Sequence, residues 1–405
     1  MATVLFCPVT FNLAETTRMI EVARALGATH RAVFLGYEED FVPLIERAGF
    51  DYRAGTPSWS PTDRRQALAF DQGRTLRSPF TADLVDARVR LERSLIRDLD
   101  ARVVVTGSNL TSFLSARAEG VPLVYPVPFA LTHPQVAQTT AMGFVDRPGR
   151  LARRADRAAT TAFRWIYNRA PLAPRAFTTV AEAHGVPPLR TMASLLRADR
   201  NLLTVMPWEL EGYRLPDDFV RVGPIFAHLD TELPERLVRG RRPVVYLGLG
   251  SSADRRLALA TARALGRLDV DVWAPIAHYL APGDQVPANV TVTPLLPAHR
   301  LGGLIDGAVL HGGQGTIQTA CATGVPFVGM GLQPEQTWNV RQCARRGHAV
   351  ALAPRAVTAA ALPAAVDRVL TDPDVRATAR QVQRAYAAED GAAASARVIE
   401  GLLAA

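Results

Sequence analysis

The sequence predicts an α/β protein made of two doubly wound parallel sheets, and three observations carry that expectation. Short apolar runs alternate with helical periodicity from the first residue onward. That rhythm lapses once, from Trp208 to Arg242, where Pro216, Asp217, Asp218, Gly223, Pro224, Pro234 and Gly240 gather just before Pro243. The 405 residues also exceed what one hydrophobic core serves, since single cores stop growing near about 250 residues.

In the first half, Thr3–Cys7 reads as a buried strand. Thr16 or Thr17 is placed to cap a helix whose Ile20, Ala23 and Leu26 share a face and which stops near Gly27. Arg31–Leu35 is the next strand, and Phe41, Leu44, Ile45 and Ala48 mark a helix closed by Gly49. Val103–Val105 and Leu123–Val127 are further strands around a helix at about 110–119. After the lapse come strands at Val244–Leu247, Val270–Ala274, Val290–Thr293, Ala308–Leu310 and Pro326–Met330, then an Ala-rich helical tail from about Thr358. The expected organisation is an N-terminal domain at 1–222, a linker at 223–242, a second domain at 243–385 and a terminal helix at 386–405 that packs back toward the first domain.

Composition narrows the function classes. Apolar residues make up 48% and charged residues 21%, so the chain can bury real cores. The net charge of +8 comes entirely from arginine on the basic side, because the chain contains no lysine. A surface built to coat nucleic acid would mix in lysine, so the excess reads as a coding bias and no nucleic-acid partner is expected. Cys7, Cys321 and Cys343 are too far apart for a disulfide framework or a CxxC metal site, which fits a reducing, cytoplasmic setting. Met1–Cys7 lacks the character of a signal peptide, and no run approaches the ~18 apolar residues that span a bilayer. Stable membrane insertion is not expected; peripheral contact is allowed, and the chain is either a monomer or a homodimer.

The richest chemistry lies in Val309-Leu310-His311-Gly312-Gly313-Gln314-Gly315-Thr316, a strand that runs through a glycine-rich turn into a helix. Glycines let backbone approach a phosphate, and a helix N-terminus adds unpaired N–H groups and a positive dipole end worth about 0.3–1 kcal/mol per charge. A diphosphate leaving group needs that stabilisation as its bond to a sugar breaks. By themselves, glycines of this kind also suit a purely structural turn.

The continuation, ACATGVPFVGMGLQPEQTWNV over 320–340, narrows the choice. From His311 to Asn339 the chain resembles the donor-site signature of the family 1 glycosyltransferases, the group that holds antibiotic and macrolide glycosyltransferases. The pattern matches without a gap through Gly324-Val325-Pro326 and Glu335-Gln336 to Asn339. Pro297 stands at the family spacing before His311, and Val244–Ser251 resembles the first strand and Ser-bearing turn of the nucleotide domain.

The resemblance implies the GT-B fold, two facing Rossmann-like domains with parallel sheets and a cleft between them. It implies a nucleotide-sugar donor, a small-molecule acceptor, inversion by in-line displacement, and no cofactor or metal. Carried over by position, His311 contacts the diphosphate, Gly312, Gly313, Gly315 and Thr316 bind phosphate, and Ser251 makes a phosphate or loop contact. Leu296 belongs to the donor site, and Glu335 with Gln336 bonds sugar hydroxyls. Asn12, Ser108 and Asn109 fall on the acceptor side.

Three departures from the family stand out. Thr319 occupies the position where UDP-using members carry a ribose-binding Glu, which leans toward a TDP-sugar. Leu295 stands where many members place an aromatic residue near the base. The catalytic His is replaced by Glu15, and its orienting Asp is missing from Thr106-Gly107-Ser108-Asn109. Glu15 is therefore the candidate base, a role that needs a buried setting; a helix-dipole role is the alternative.

Two features are set apart from the chemistry. Asp269-Val270-Asp271 spells a DxD metal motif, but alternation turns its valines inward and its carboxylates outward. Arg147–Arg175 interleaves Arg150, Arg153, Arg154, Arg157 and Arg164 with Phe163, Trp165 and Tyr167, and suits a solvated helix or an anionic surface. His133, His184, His278, His299 and His348 are scattered without ligand spacing. Competing functions are a nucleotide-sugar 2-epimerase of the same fold and a catalytically degenerate partner protein.

Overall fold

The computed structural model describes the chain apart from residues 72–74, 76, 146–148, 230, 231, 236, 238, 358, 359 and 405, and apart from the side chains at 68 and 71. It divides into two compact units. One holds Met1–Thr140, Ala158–Ile225 and Asp390–Ala405, and the other Ala141–Arg157 and Phe226–Glu389.

The first unit follows the order β1 (Thr3–Cys7), α1 (Leu13–Leu26), β2 (Arg31–Gly36), α2 (Val42–Arg47), β3 (Asp51–Ala54), α3 (Pro61–Asp71), α4 (Ala82–Asp98), β4 (Ala101–Thr106), α5 (Ser112–Glu119), β5 (Leu123–Val127) and α6 (His133–Gln138). After α7 (Arg150–Arg169), whose first turns belong to the other unit, come α8 (Arg175–Ala183), α9 (Met192–Leu195), β6 (Arg200–Leu203) and β7 (Phe219–Arg221). The sheet runs β3-β2-β1-β4-β5-β6-β7 and all its pairs are parallel. The central strands β1, β2 and β4 feed both layers, as a sheet covered on both faces requires. Leu5, Cys7, Val33 and Val104 enter one core cluster, and Val4, Phe6, Phe34 and Val103 the other.

The second unit contains β8 (Val244–Gly248), α10 (Arg255–Leu265), β9 (Asp271–Ala274), β10 (Val290–Val292), β11 (Gly307–Leu310), α11 (Gln314–Thr323), β12 (Phe327–Gly329), α12 (Pro334–Arg346), β13 (Ala349–Ala351), α13 (Ala361–Thr371) and α14 (Pro373–Ala387). Its parallel sheet runs β10-β9-β8-β11-β12-β13. The last helix, α15 (Gly391–Ala404), belongs to the first unit and packs on α1. Its start docks so closely that a Cβ on Gly391 would stand 2.3 Å from the carbonyl oxygens of Gly223 and Pro224.

Several expectations are corrected. Helix α1 begins at Leu13, because the Asn12 side chain accepts from Ala14 N (3.1 Å) and Glu15 N (3.4 Å). Thr16 and Thr17 lie inside the helix, and Thr17 Oγ1 donates to Leu13 O at 2.8 Å. Residues 141–157 join the second unit, a placement that hydrophobic periodicity does not register. Asp156 accepts from Gly143 N and Val145 N at 3.1 Å each, and Gly143 lies against the Arg341 guanidinium. The aperiodic stretch from Trp208 to Arg242 contains β7, an edge strand, just before the expected linker; residues 230, 231, 236 and 238 of that linker, and Thr358 at the start of the tail, lie outside the described residues.

In each sheet the strand order reverses once, between β1 and β4 and between β8 and β11. Ligands of open α/β sheets bind beyond the carboxyl ends of the strands at such a point. The segments there carry Glu15, in the first turn of α1, with Ser108 in the first unit, and Ser251 with His311 in the second.

Candidate functional site

In the second unit β11 delivers His311 into a turn that only glycine can build. Gly312 has φ +91°, and a Cβ there would stand 2.8 Å from Gln336 O. Gly313 caps α11 without any side-chain hydrogen bond, and a Cβ on Gly315 would meet nothing within 4 Å. The first turn of the helix thus opens onto space, with Thr316 partly exposed beside it.

His311 is 6% exposed, and its Nδ1 lies 3.1 Å from Gly248 O. A carbonyl only accepts, so Nδ1 carries the proton. Nε2 sits between Gly250 and Gly313, where a Cβ would come within 2.6 and 2.4 Å of it. Burial holds the imidazole pKa below its ordinary value, opposed by the Gly248 bond.

Helix α12 is tied to this turn. Asn339 Nδ2 donates to Gly312 O (3.1 Å) and to Glu335 Oε1 (2.7 Å), which leaves Glu335 partly exposed. Gln336 is 3% exposed: its Oε1 accepts from Leu332 N (3.2 Å) and its Nε2 donates to Ser252 Oγ (2.8 Å). Gln336, expected to offer its amide to a sugar, uses that amide here to join α12 to the loop after β8. Ser251 is exposed, whereas Ser252, which no motif marked, is buried in this network. The two leucines before Pro297 also divide: Leu295 is 55% exposed and Leu296 1%. The apolar surface of that turn is therefore the side chain of Leu295, and Leu296 belongs to the core.

In the first unit Glu15, in the first turn of α1, is 8% exposed and crosses to the loop after β4. Oε1 accepts from Ser108 Oγ (2.5 Å) and Asn12 Nδ2 (3.4 Å), and Oε2 from Ser108 N (2.9 Å) and Val9 N (3.3 Å). Gly107 is what lets it in, because a Cβ there would stand 2.1 Å from Oε2. Ser108, partly exposed, is the outer member of the pair.

The chain is similar to several known proteins. Residues 260–402 match the family described as Erythromycin biosynthesis protein CIII-like, C-terminal domain. A PGL/p-HBAD biosynthesis glycosyltransferase of Mycobacterium tuberculosis (strain ATCC 25177 / H37Ra) is 26% identical over 397 residues, covering 95% of this chain and 88% of the relative. The 4'-demethylrebeccamycin synthase of Lentzea aerocolonigenes is 28% identical over 324 residues, 76% of each chain. The glycosyltransferase VinC, solved in complex with DTDP, has a TM-score of 0.67 at 21% identity over 99% of this chain and 98% of VinC. The chain is a glycosyltransferase of GT-B fold.

Other expected contacts of the glycosyltransferase fall elsewhere. Asn12 serves as the α1 cap. Asn109 is buried, and its Nδ2 donates to Glu92 Oε1 (3.0 Å) and Ser112 Oγ (2.8 Å). Glu92 also accepts from Tyr37, Thr111 and Ser115, and desolvation pushes its carboxyl above the usual range. Asn109 thus stabilises the fold instead of facing an acceptor. Asn109→Ala is expected to lower stability by about 1–3 kcal/mol, read by denaturant unfolding, with the acceptor KM unchanged.

Asp271 pairs with Arg242, and Asp269 lies 3.9 Å from it, while Val270 and Val272 are buried. In α7, Tyr167 is buried and donates to Leu131 O (2.7 Å), whereas Trp165 is 60% exposed; Arg147 lies outside the described residues. Among the described residues no helix is long and apolar enough to cross a membrane. The histidines are not all scattered: His348 Nε2 lies 3.4 Å from Cys321 Sγ, with Cys343 beside them.

Proposed function

We propose that this glycosyltransferase moves a sugar, with inversion and without a metal on the diphosphate, from a thymidine-diphosphate sugar to a small-molecule natural-product hydroxyl in the cytoplasm. One observation carries the reading: α11 begins without a side-chain cap, opens onto space at Gly315, and has His311 buried at its mouth. That is an anion site built for a diphosphate. Glu335 and Thr316 are the candidate ligands of the sugar and the phosphate. Thymidine is favoured because Thr319 Oγ1 turns back onto Gly315 O at 2.8 Å and offers no carboxylate to a ribose 2′-hydroxyl. The bound DTDP in VinC supports the same choice. The carboxylates of the DxD-like segment are engaged by Arg242, which supports metal-independent transfer.

In the first unit Ser108 touches the acceptor hydroxyl. Its own proton passes along the 2.5 Å bond to Glu15 as it takes the acceptor's, and the freed oxygen displaces the diphosphate from the anomeric carbon. Calorimetric titration with TDP and UDP tests the donor, and the anomeric coupling constant of the product, made in the presence of EDTA, tests inversion and metal independence. Tighter binding of UDP, a retained anomer, or loss of transfer in EDTA would each overturn the corresponding element.

His311 makes donor binding pH-dependent. With Nδ1–H given to Gly248, Nε2 can donate to a diphosphate only after gaining a proton. Burial keeps the free ring neutral at pH 7, and the bound diphosphate favours the imidazolium. TDP binding is therefore expected to take up a proton and to tighten as pH falls from 8 toward 6, read by calorimetry in buffers of different ionisation enthalpy. For the unliganded protein the sign is opposite. A depressed histidine pKa means the unfolded chain binds the proton first, so stability drops as pH falls below the unfolded value of about 6.5. Binding without proton exchange would remove the cationic His311 from the mechanism.

A further inference from the structure

Two of the three cysteines and one histidine, far apart in the chain, meet inside the second unit. Cys321 comes from α11, Cys343 from α12, and His348 from the turn before β13. They are 2%, 8% and 2% exposed, and one donor atom of each lies within 4.8 Å of the other two. We propose that Cys321, Cys343 and His348 form a buried site for one soft divalent cation of the zinc class, which staples the C-terminal part of α11 to that of α12.

The contact between Cys321 and His348 suits such an ion. Zinc holds sulfur at about 2.3 Å and imidazole nitrogen at about 2.0–2.1 Å, which in a tetrahedron places the two ligand atoms about 3.6 Å apart. The Cys321 Sγ to His348 Nε2 distance is 3.4 Å. Two thiols and an imidazole select zinc or a comparably thiophilic ion over magnesium or calcium, whose preferred ligands are oxygens. Tyr386 of α14, 4% exposed, hydrogen-bonds the Cys321 sulfur and brings an oxygen to the same place. Phe327 packs edge-on to the His348 ring, with centroids 5.9 Å apart, and fixes its plane.

A second observation sets His348 apart from an ordinary core histidine. Its Nδ1 is buried without a hydrogen-bond partner, so the ring sits in the core at a cost that two thiols repay poorly and a coordinate bond at Nε2 repays well. On binding, each thiol that becomes a thiolate ligand releases its proton to solvent, and no electrons move. The staple lies seven residues beyond Gln314 on α11 and eight beyond Glu335 on α12. At about 1.5 Å per residue it acts 10–12 Å from the donor-binding ends, remote from the diphosphate.

The full chain, reduced and dialysed against zinc, is expected to retain one zinc per molecule by mass spectrometry of the metal, and to melt several degrees higher than the stripped protein. Cobalt in its place should give sulfur-to-metal charge-transfer absorption and the intense visible bands of tetrahedral coordination. Cys321→Ser and Cys343→Ser should each lose that absorption, while Cys7→Ser keeps it. Should these variants fail to fold, alkylation of the wild-type protein decides: zinc should protect Cys321 and Cys343 and leave the reactivity of Cys7 unchanged. No cobalt–thiolate band, equal zinc retention in folded Cys321→Ser, or unprotected thiols would each overturn the site. So would a Cys321–Cys343 disulfide whose reduction restores no metal binding.

Discussion

Glu15→Gln is expected to lower kcat by about 10²–10⁴-fold while leaving TDP affinity and melting temperature unchanged. The amide oxygen can occupy the place of Oε2 and keep the bonds from Val9 N (3.3 Å) and Ser108 N (2.9 Å). Its NH2 group then faces Ser108 Oγ, which must accept where it had donated, and gives up only the long 3.4 Å bond from Asn12 Nδ2. The loop geometry survives, and the sink for the acceptor's proton is gone. Ser108→Ala removes the hydroxyl but retains the backbone bond to Glu15, so it should lower kcat in the same way. Full activity in Glu15→Gln would reduce the carboxylate to a loop brace, and full activity in Ser108→Ala alone would move the relay to another group. Single-turnover kinetics at saturating donor separates these outcomes from a slower product release.

Gly312→Ala should act on structure and donor binding together. The residue holds φ +91°, a conformation that costs a residue with a Cβ roughly 1–2 kcal/mol, and the new methyl would stand 2.8 Å from both Gln336 O and Val340 Cγ2. Overpacking of this kind adds about 1–3 kcal/mol, because Gln336 O is backbone of α12 and cannot rotate aside. Relief requires the turn to leave α12, which breaks the 3.1 Å bond from Asn339 to Gly312 O and re-aims the first turn of α11. A lowered melting temperature and at least tenfold weaker TDP binding by calorimetry are the expected results. Undiminished binding would show that the diphosphate does not rest on this turn.

Much of the architecture was legible along the chain because parallel strands buried on both faces announce themselves as continuous apolar runs, as Val4–Cys7, Val244–Leu247 and Ala308–Leu310 do. Edge strands announce little. β3 is largely exposed and β13 is three residues long, so neither departs enough from a loop in composition to be seen. The start of α1 was misread because Thr16, Thr17 and Asn12 are all good caps by residue type, and only the backbone shows which side chain accepts the first amides.

At the site the division follows the range of the forces. The sequence alone determined the βα turn from His311 to Thr316, the presence of a carboxylate at Glu15, and the likeness of the chain to glycosyltransferases. These depend on residues adjacent in the chain, whose local geometry their neighbours dictate. Tertiary structure alone decided that Ser108 seals Glu15, that Gln336 binds Ser252 rather than lying open, that Asn109 serves Glu92, and that Cys321, Cys343 and His348 converge. Hydrogen bonds and metal-ligand geometry act over about 3 Å, whereas the partners are separated by 5 to 93 positions, so no periodicity in the chain encodes the pairing.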